Sequence, residues 1–504
     1  MAKCVFIIVF TYYFDTLNLS YIQKKRKAVY DLKKILSLLM LIALVLILPI
    51  QSQAATIKTI VANNLGIDNV AIAIRDAKTG ELVYSHNGNK LMRPASNLKL
   101  VTGAAALDTL GENYRFKTRL YIDGEIKNHV LHGDVYIVGS GDPTLSNNDF
   151  QEFATALKKL GITSVTGHLY GDDTAFSGST LSPGATPQEE SYYYAARTSA
   201  ITMSPNSDYD ASTVIVTAYP TVVGVKPNYK ITPNLSGMVV SNQAKTVKKG
   251  QKNTVVIKRI YNTNKILISG NLPIGSSSKD WVTVQDPTSN TLQAIKICMN
   301  NMGIKFSSTS KVLRHQVPND AQLVFTNESI TLAKMFPVFM KLSNNSMADI
   351  FTKAMGQHEY GDGSLKTGTQ VLFDYGQSKN IDMSDWKFVD GSGLSTQNRV
   401  NANELTQLLY EVQSEPFFQT YYQSLPVGGN RDRLIGGTLK SRFNAANLQG
   451  RIIAKTGYIE KVHTLSGYMK GISGKQYIFS ILIQNQAHGI SHIDNTVVAL
   501  MKQL

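Results

Sequence analysis

The feature that most constrains the fold is a change of sequence character along the chain. Both ends carry helical and strand patterns of the same kind, whereas short apolar runs separated by Gly, Pro, Ser and Asn fill Tyr114 to about Arg259. Within that stretch, residues 204–272 have almost entirely the composition of strands and turns. We therefore predict an α+β fold in which both ends form one domain with a β-rich insertion between them.

The two end segments supply the predicted elements of that domain. Val70–Asp76 and Glu81–Ser85 alternate around a turn and predict a hairpin, and a helix is predicted from Asn97 to Leu110 with Ser96 at its start. Further helices are predicted at Thr331–Leu342, Met347–Ala354, Asn403–Gln413 and Asp494–Leu504, and strands at Arg451–Ile459, His463–Met469 and Gln476–Gln484.

The first 54 residues have the order of a secretory signal peptide. Basic residues at positions 24–27 and 33–34 precede the uncharged run Ile35–Ile50, and the small residues Ser52 and Ala54 follow it two apart. This order predicts cleavage after Ala54 and an exported protein of the periplasm or cell envelope. A retained transmembrane anchor is the alternative, but the 16 residues of the apolar run are fewer than a spanning helix needs.

The net positive charge limits which classes of binding partner are expected. The chain has 51 Lys+Arg and 36 Asp+Glu, for a net charge of +15, and residues 55–504 keep 44 and 34, for +10. Because no basic helix or aromatic–basic interleaving occurs, we expect no nucleic acid. Peripheral association with a membrane surface or an acidic wall polymer is expected from the basic surface, with solubility alone as the alternative. Cys298 is the single cysteine after residue 54, so no intramolecular disulfide can form, and its apolar surroundings predict burial.

Most familiar catalytic motifs are missing from the sequence. There is no His-Glu-x-x-His, no phosphate-binding Gly-x-x-x-x-Gly-Lys-Ser/Thr loop and no Gly-x-Ser-x-Gly elbow. His488 and His492 are four residues apart but lack a nearby third ligand. We therefore expect neither a metal nor a cofactor.

A serine–lysine pair is the chemistry that remains. Ser96 and Lys99 are three residues apart at the start of the predicted helix, which places both side chains on one face. A lysine whose amine is held neutral can take the proton of a serine hydroxyl and make it nucleophilic. A helix N-terminus also offers backbone N–H groups to a developing oxyanion. By itself, Ser96 is better explained as a helix-capping serine, and the companion motifs decide between the two interpretations.

Short companion motifs recur and must be separated by context. Copies of Ser-x-x-Lys elsewhere include those at Ser276 and Ser308, in a predicted loop and after a predicted turn, whereas the Ser96 copy begins a helical pattern. Copies of Ser-x-Asn include those at residues 146, 204 and 343, and the last of these lies between two predicted helices. Lys-Thr-Gly occurs at residues 78, 366 and 455: the first is predicted in a hairpin turn, the second in a Gly-rich loop, and the third extends a predicted strand.

Ser96-Asn97-Leu98-Lys99, Ser343-Asn344-Asn345 and Lys455-Thr456-Gly457, in that order, resemble the three motifs of penicillin-binding serine DD-peptidases. The gap of 247 residues from Ser96 to Ser343 is similar to the class C low-molecular-mass group, the penicillin-binding protein 4-type D-alanyl-D-alanine carboxypeptidases/endopeptidases of peptidase family S13. Supporting phrases are Arg93-Pro94-Ala95-Ser96, Gly133-Asp134-Val135-Tyr136, Gly141-Asp142-Pro143-Thr144-Leu145, Asp390-Gly391-Ser392-Gly393-Leu394-Ser395 and Ser424-Leu425-Pro426.

This resemblance implies a DD-peptidase/β-lactamase-like (transpeptidase) domain of antiparallel sheet plus helices, with β-rich domains inserted between the first two motifs. The boundaries expected here are 1–54 for the signal peptide, 55–115 and 330–504 for the transpeptidase-like domain, 116–203 and 273–329 for inserted domain II, and 204–272 for a nested small β domain III. The implied partners are peptidoglycan stem peptides, with β-lactams as inhibitors.

The resemblance also implies residue roles. Ser96 attacks the carbonyl of the penultimate D-alanine, and Lys99 is the base. Ser343 relays a proton to the leaving amine, and Asn345 binds substrate backbone. The terminal carboxylate is held by Lys455 and Thr456 of the Lys455-Thr456-Gly457 strand, and the oxyanion hole consists of the N–H groups of Ser96 and Tyr458.

One further contact is implied by a looser match. The family places an acidic residue shortly before an aromatic–Ala pair, to meet the free amine of the stem peptide's diamino acid. Glu189, ahead of Tyr194-Ala195, occupies this place here, and a solvated acidic loop is the alternative. The middle motif has Asn344 where Asp is expected. That side chain does not contact substrate in the family, so we expect little consequence.

Three competing functions fit parts of the pattern. A β-lactamase shares the acylation step, but the chain is too long and lacks an identifiable loop with a deacylating Glu. A non-enzymatic wall-binding or penicillin-sensing protein would keep the fold, although all the motif serines and lysines are intact. A serine–lysine protease acting on proteins is disfavoured, because Lys455-Thr456-Gly457 is expected to bind a terminal carboxylate of the substrate.

Overall fold

The computed structural model describes residues 56–233, 238–484 and 489–504. The predicted signal peptide, residues 1–54, lies outside this part, as does His488. Within the described ranges, no helix combines the length and apolar character required to cross a membrane.

The elements are numbered in chain order. The helices are α1 (56–65), α2 (Leu98–Leu110), α3 (Asn147–Lys159), α4 (Pro287–Asn301), α5 (Leu332–Lys341), α6 (Asn345–Tyr360), α7 (Leu365–Ser378), α8 (Ala402–Glu411), α9 (Phe418–Gln423) and α10 (Ile490–Gln503). The strands are β1 (Val70–Asp76), β2 (Leu82–His86), β3 (Lys117–Lys127), β4 (Val130–Val138), β5 (Ser164–Val165), β6 (Leu169–Asp172), β7 (Thr213–Tyr219), β8 (Asn228–Thr232), β9 (Val239–Asn242), β10 (Lys245–Val247), β11 (Val256–Arg259), β12 (Lys265–Ser269), β13 (Asn271–Pro273), β14 (Ser278–Thr283), β15 (Lys305–Phe306), β16 (Val312–Arg314), β17 (Gln322–Glu328), β18 (Ile452–Ile459), β19 (Val462–Lys470) and β20 (Gln476–Gln484).

A five-stranded antiparallel sheet joins the two ends of the sequence. Its order is β18-β19-β20-β1-β2, so the N-terminal hairpin pairs with the last strand of the C-terminal meander. Most residues of β19 and β20 are buried, as expected for central strands whose two faces are covered. The predicted α+β class is confirmed by this sheet and its helices.

Helix α2 lies inside the helical layer. Ten of its 13 residues are buried, and it is apolar around most of its circumference, which is typical of a fully enclosed helix. Gly103 permits this packing, because a Cβ there would lie 2.5 Å from Cε of Met340 on α5. Ser96 and Lys99 therefore lie at the start of a largely buried helix.

The middle of the chain folds around a second apolar cluster. Strands β3, β4, β5, β15 and β17 form a sheet with β6 and β16 attached, and α3 and α4 pack beside it. Three smaller sheets follow, with orders β14-β7-β8, β11-β12-β9 and β10-β13. Buried side chains of the larger and smaller sheets belong to one cluster, separate from the cluster around α2. The predicted boundary at residue 272 separates β7 from its partner β14, and the domain division stays a prediction.

One local expectation was wrong. Lys366-Thr367-Gly368 was expected in a Gly-rich loop, but it lies in the first turn of α7. Ser364 caps that helix, because its hydroxyl oxygen accepts the backbone N–H of Thr367 at 3.1 Å. Helices α3 and α4 in the middle of the chain were not predicted either, whereas the burial of Cys298 on α4 was.

Candidate active site

The Ser96–Lys99 pair lies where a 3₁₀ turn, Ala95–Asn97, leads into α2. Lys99 Nζ is 3.0 Å from Ser96 Oγ, within hydrogen-bond distance. Lys99 is fully buried, whereas Ser96 is partly exposed. The hydroxyl can therefore meet a ligand while the amine behind it is shielded from water.

Two carbonyl oxygens hold the Lys99 amine. Its Nζ is 2.6 Å from Asn345 Oδ1 on α6 and 2.6 Å from the backbone oxygen of Ser392. Burial lowers the pKa of Lys99 to about 7, against the opposing pull of the carboxylates of Asp349 and Asp390. A lysine in this setting is neutral in an appreciable fraction of molecules near pH 7.

The loop that supplies the Ser392 carbonyl is fixed by two buried aspartates. Asp349 Oδ1, one turn after Asn345 on α6, accepts the N–H groups of Gly391 and Ser392, both at 3.0 Å. Asp390 accepts from the N–H of Gly393 at 2.8 Å and from other groups of the same loop. Burial and the nearby Asp390 raise the pKa of Asp349, while Lys99 opposes this rise. Sequence reasoning missed this support, although Asn345 and Asp349 share the spacing of one helix face.

The second motif is the turn between α5 and α6. Ser343 has a φ of 60°, and Ala95, which precedes the first serine, has a φ of 46°. Left-handed conformations in residues other than glycine are costly and tend to occur at functional sites. Both serines thus lie at strained turns that enter a helix.

Asn344 anchors that turn to the inserted part of the chain. Its Oδ1 accepts the N–H of Met347 and caps α6, while its Nδ2 donates to the carbonyl oxygens of Asp208 and Tyr209 at 3.0 and 2.9 Å. Nδ2 also lies 3.2 Å from Asp210 Oδ1. The middle residue of the motif therefore has a structural role that the sequence did not predict, and its amide supplies the donors for these contacts.

Lys455 on β18 faces the second motif. Its Nζ donates to Ser343 Oγ at 2.7 Å and to the carbonyl oxygen of Thr456 at 2.8 Å. Lys455 is fully buried, and burial together with the nearby Lys99 holds its pKa well below the usual range. Asn345 completes the cluster, because its Nδ2 donates to the carbonyl oxygen of Tyr194 at 2.8 Å.

Gly457 lets β18 pass close to the first serine. A Cβ at this position would lie 3.0 Å from the backbone nitrogen of Ser96 and 2.1 Å from Thr464 Oγ1. Thr456 Oγ1 is 2.7 Å from Thr438 Oγ1, and Tyr458 is 65% exposed. The structure thus brings all three motifs together, with the Lys-Thr-Gly strand beside Ser96.

Glu189 is placed differently. Its Oε2 accepts from the backbone N–H and hydroxyl of Thr186, at 3.1 and 2.7 Å, in a local turn. Among the described residues, no hydrogen bond or ion pair joins the side chain of Glu189 to the three motifs. The neighbouring Glu190 is buried against Arg197 and Arg259 at 2.6 and 3.0 Å. The predicted amine contact of Glu189 stays a prediction.

The remaining motif copies serve local structure. Ser276 Oγ donates to the carbonyl oxygen of Pro273, and Lys279 lies on β14 over the ring of Trp281. Ser146 caps α3, and Ser204 Oγ donates to the carbonyl oxygen of Pro143. None of these serines is paired with a lysine in the way that Ser96 is.

Comparison with known proteins agrees with this geometry. Residues 53–504 match the profile of the D-Ala-D-Ala carboxypeptidase 3 (S13) family. The chain belongs to the S13 family. One relative, the D-alanyl-D-alanine carboxypeptidase of Actinomadura sp. strain R39, is 33% identical over 83% of this chain and 77% of its own.

Two further comparisons extend the family match. The D-alanyl-D-alanine carboxypeptidase DacB of Haemophilus influenzae is 25% identical over 84% of this chain and 86% of its own. The crystal structure of penicillin-binding protein 4 (dacB) from Haemophilus influenzae superposes with a TM-score of 0.75 at 22% identity, covering 88% of this chain and 98% of that one. The S13 fold predicted from the three motifs is thereby confirmed.

Proposed function

We propose that this S13 family member is an exported serine DD-peptidase with an acyl-enzyme on Ser96. It removes the terminal D-alanine from peptidoglycan stem peptides or opens the D-Ala–diamino acid cross-links between them. The observation that carries the proposal is the buried Lys99 amine 3.0 Å from Ser96 Oγ, with the Ser343–Lys455 pair opposite. The names of the family and of its relatives support the carboxypeptidase reaction.

The contacts of Lys99 suit it to act as the base. A neutral amine has two N–H donors and one lone pair, and Asn345 Oδ1 and the Ser392 carbonyl oxygen can only accept. If these two oxygens take the two N–H groups, the lone pair is left for the hydroxyl of Ser96. Lys99 then receives that proton as Ser96 Oγ bonds to the carbonyl carbon of the penultimate D-alanine.

The second half of acylation breaks the scissile C–N bond. The leaving amine must gain a proton, and Ser343, bonded to Lys455, is placed to relay one from the side opposite Lys99. The N–H groups of Ser96 and Tyr458 serve as the oxyanion hole, and water then hydrolyses the ester and restores Ser96. Penicillin follows the same first step, but its amine stays tethered to the acyl group after the ring opens.

Lys455 and Thr456 supply the recognition of a terminal carboxylate. A bound carboxylate favours the charged form of Lys455, and it can accept hydrogen bonds from that amine and from the Thr456 hydroxyl on the same strand; charge-assisted hydrogen bonds of this kind are the stronger class. Asn345 binds substrate backbone beside the Tyr194 carbonyl oxygen. A peptide with a free D-alanine terminus is therefore the preferred substrate class. A cross-link that ends in a free carboxylate can bind to Lys455 and Thr456 in the same way.

The test is release of D-alanine from a synthetic peptide ending in D-Ala-D-Ala, with a cross-linked stem-peptide dimer as the second substrate. We expect Ser96→Ala to lower kcat/KM at least about 1000-fold, because loss of a catalytic nucleophile has effects of this size. Ser276→Ala, the matched control, should be silent. If wild-type protein binds penicillin but turns over neither substrate, the penicillin-sensing alternative replaces the proposal.

A second pair of variants tests the choice of Lys-Thr-Gly. Lys455→Ala should lower kcat/KM for substrates with a free terminal carboxylate by about 100-fold, since truncating one partner of a buried charged contact costs several kcal/mol. Lys366→Ala removes an exposed lysine from the equivalent tripeptide on α7 and should have no effect. Equal rates for Lys455→Ala and wild type would show that the carboxylate is held elsewhere.

A further inference from the structure

Positive charge is concentrated in the β-rich segment 204–272. This segment holds eight lysines and one arginine against two aspartates, a formal charge of +7, whereas the whole chain carries +15. All eight lysines are exposed, and no carboxylate of the described residues forms an ion pair with any of them. The two aspartates are engaged at the junction with α6, where Asp208 pairs with Arg433 and Asp210 contacts Asn344.

An apolar turn projects from the same segment. Between β7 and β8, Val222, Val223 and Val225 are 70%, 44% and 52% exposed, and Tyr219 at the end of β7 is 45% exposed. Single exposed apolar residues are ordinary, but four within seven positions form a contiguous feature that indicates an interaction site.

Hydrogen bonds hold this apolar turn next to a lysine-rich stretch of the same segment. The N–H of Gly224 donates to the carbonyl oxygen of Thr246 at 2.9 Å, and the N–H of Thr246 donates to that of Val225 at 2.8 Å. Thr246 lies in β10, which begins at Lys245 and is followed by two further lysines. We call this surface the basic tip, consisting of Tyr219, Val222, Val223, Val225, Lys226, Lys245, Lys248 and Lys249.

The combination of exposed valines with unpaired lysines decides what the basic tip fits. A soluble polyanion would use the lysines alone, and water-exposed valines would add nothing to its binding. A bilayer with anionic headgroups uses both, because lysines are attracted to its surface charge and apolar side chains enter the headgroup–acyl boundary. We propose that the basic tip binds the surface of an anionic phospholipid bilayer. It shares no residue with the three motifs, so this binding is separate from the peptidase chemistry.

The test is co-sedimentation of residues 55–504, the product of the predicted cleavage, with vesicles of phosphatidylglycerol and phosphatidylcholine, or of phosphatidylcholine alone. Wild-type protein should bind the anionic vesicles, and binding should weaken as salt is raised. V222S/V223S/V225S and K226Q/K245Q/K248Q/K249Q should each bind at least tenfold more weakly. The control K90Q/K334Q/K366Q/K387Q changes the net charge equally, at exposed lysines elsewhere, and should bind within twofold of wild type.

Soluble polyphosphate separates a lipid surface from an anionic polymer. The valine variant should bind polyphosphate like wild type, whereas the lysine variant of the tip should not. If the valine variant binds anionic vesicles as well as wild type, the proposal is overturned in favour of an anionic polymer. If the control variant loses as much vesicle binding as the lysine variant of the tip, the binding depends on net charge alone and the proposal is also overturned. Retained penicillin labelling of both tip variants shows that they are folded.

Discussion

At the scale of single residues, the proposed acylation depends on the protonation state of Lys99. Burial lowers its pKa to about 7, while the carboxylates of Asp349 and Asp390 favour the charged form. Since a base must be neutral, kcat/KM for acylation should fall about tenfold for each pH unit below 7 and level off above it. The acid limb of the pH profile therefore reports the Lys99 pKa in the free enzyme.

Asp349→Asn tests this assignment. The amide oxygen of Asn can still accept the N–H groups of Gly391 and Ser392, but the negative charge that favours protonated Lys99 is gone. We expect the acid limb of penicillin acylation to move to lower pH by about one unit. Asp320→Asn removes an exposed carboxylate elsewhere and should leave the profile unchanged. An acid limb that stays in place in Asp349→Asn would mean that Lys99 is not the group that titrates.

At the scale of elements, the Asn344 turn couples a helix cap to the site. Asn344→Ala removes the cap of α6 together with the contacts to residues 208–209, and should lower the free energy of unfolding by about 1–2 kcal/mol. Because Ser343 and Asn345 flank it, the acylation rate should fall as well. Ser364→Ala removes the equivalent cap of α7 and should destabilise by about 1 kcal/mol with no effect on acylation. Denaturant unfolding and penicillin acylation of both variants separate the two effects.

Helices and strands with regular apolar patterns could be predicted from the sequence, whereas elements without such patterns could not. The β1–β2 hairpin and strands β18–β20 have long, regular apolar patterns, and their positions could be predicted to within a few residues. Helix α7 was missed because the Gly-rich sequence around Lys366-Thr367-Gly368 suggested a loop. In the structure Gly368 permits close packing, since a Cβ at Gly368 would lie 1.9 Å from the carbonyl oxygen of Thr352 on α6. From the sequence alone, a glycine that permits close helix packing cannot be distinguished from a loop glycine, because the position of the neighbouring helix is not known.

The candidate site also has a part that could be predicted from the sequence and a part that could not. Ser96 and Lys99 could be paired from sequence because they are local to one helical turn, and family resemblance supplied Ser343 and Lys455. The supporting contacts of Asp349 and the Ser392 carbonyl could not be predicted, because they join a helix to a loop more than 40 residues away. Long-range placement of backbone groups depends on the tertiary path and leaves no short sequence pattern.

At the scale of the whole molecule, a buried ion pair fixes the segment that reaches the site. The side chains of Glu190 and Arg259 are 1% and 0% exposed, and Arg197 shares the same carboxylate. Tyr194, four residues after Glu190, accepts a hydrogen bond from Asn345 Nδ2 at its carbonyl oxygen. Removing one partner of such a cluster leaves a buried charge without compensation. Glu190→Gln should therefore lower the free energy of unfolding by about 3–5 kcal/mol.

Glu189→Gln is the matched control for that prediction. Glu189 is adjacent in sequence, but its carboxylate serves a partly exposed turn, so its loss should change stability by about 0.5 kcal/mol or less. Denaturant unfolding of the two variants provides the comparison, and equal stabilities would show that the buried cluster contributes nothing. Weaker turnover by Glu189→Gln of substrates with a free side-chain amine would support the predicted amine contact.

The most direct test of the central claim is the intact mass of residues 55–504 after incubation with penicillin. Wild-type protein should gain the mass of one penicillin molecule, because ring opening loses no atoms, and Ser276→Ala and Ser308→Ala should gain the same mass. Ser96→Ala should gain none. A stoichiometric adduct on Ser96→Ala, or the lack of any adduct on folded wild-type protein, would contradict the assignment of Ser96 as the nucleophile.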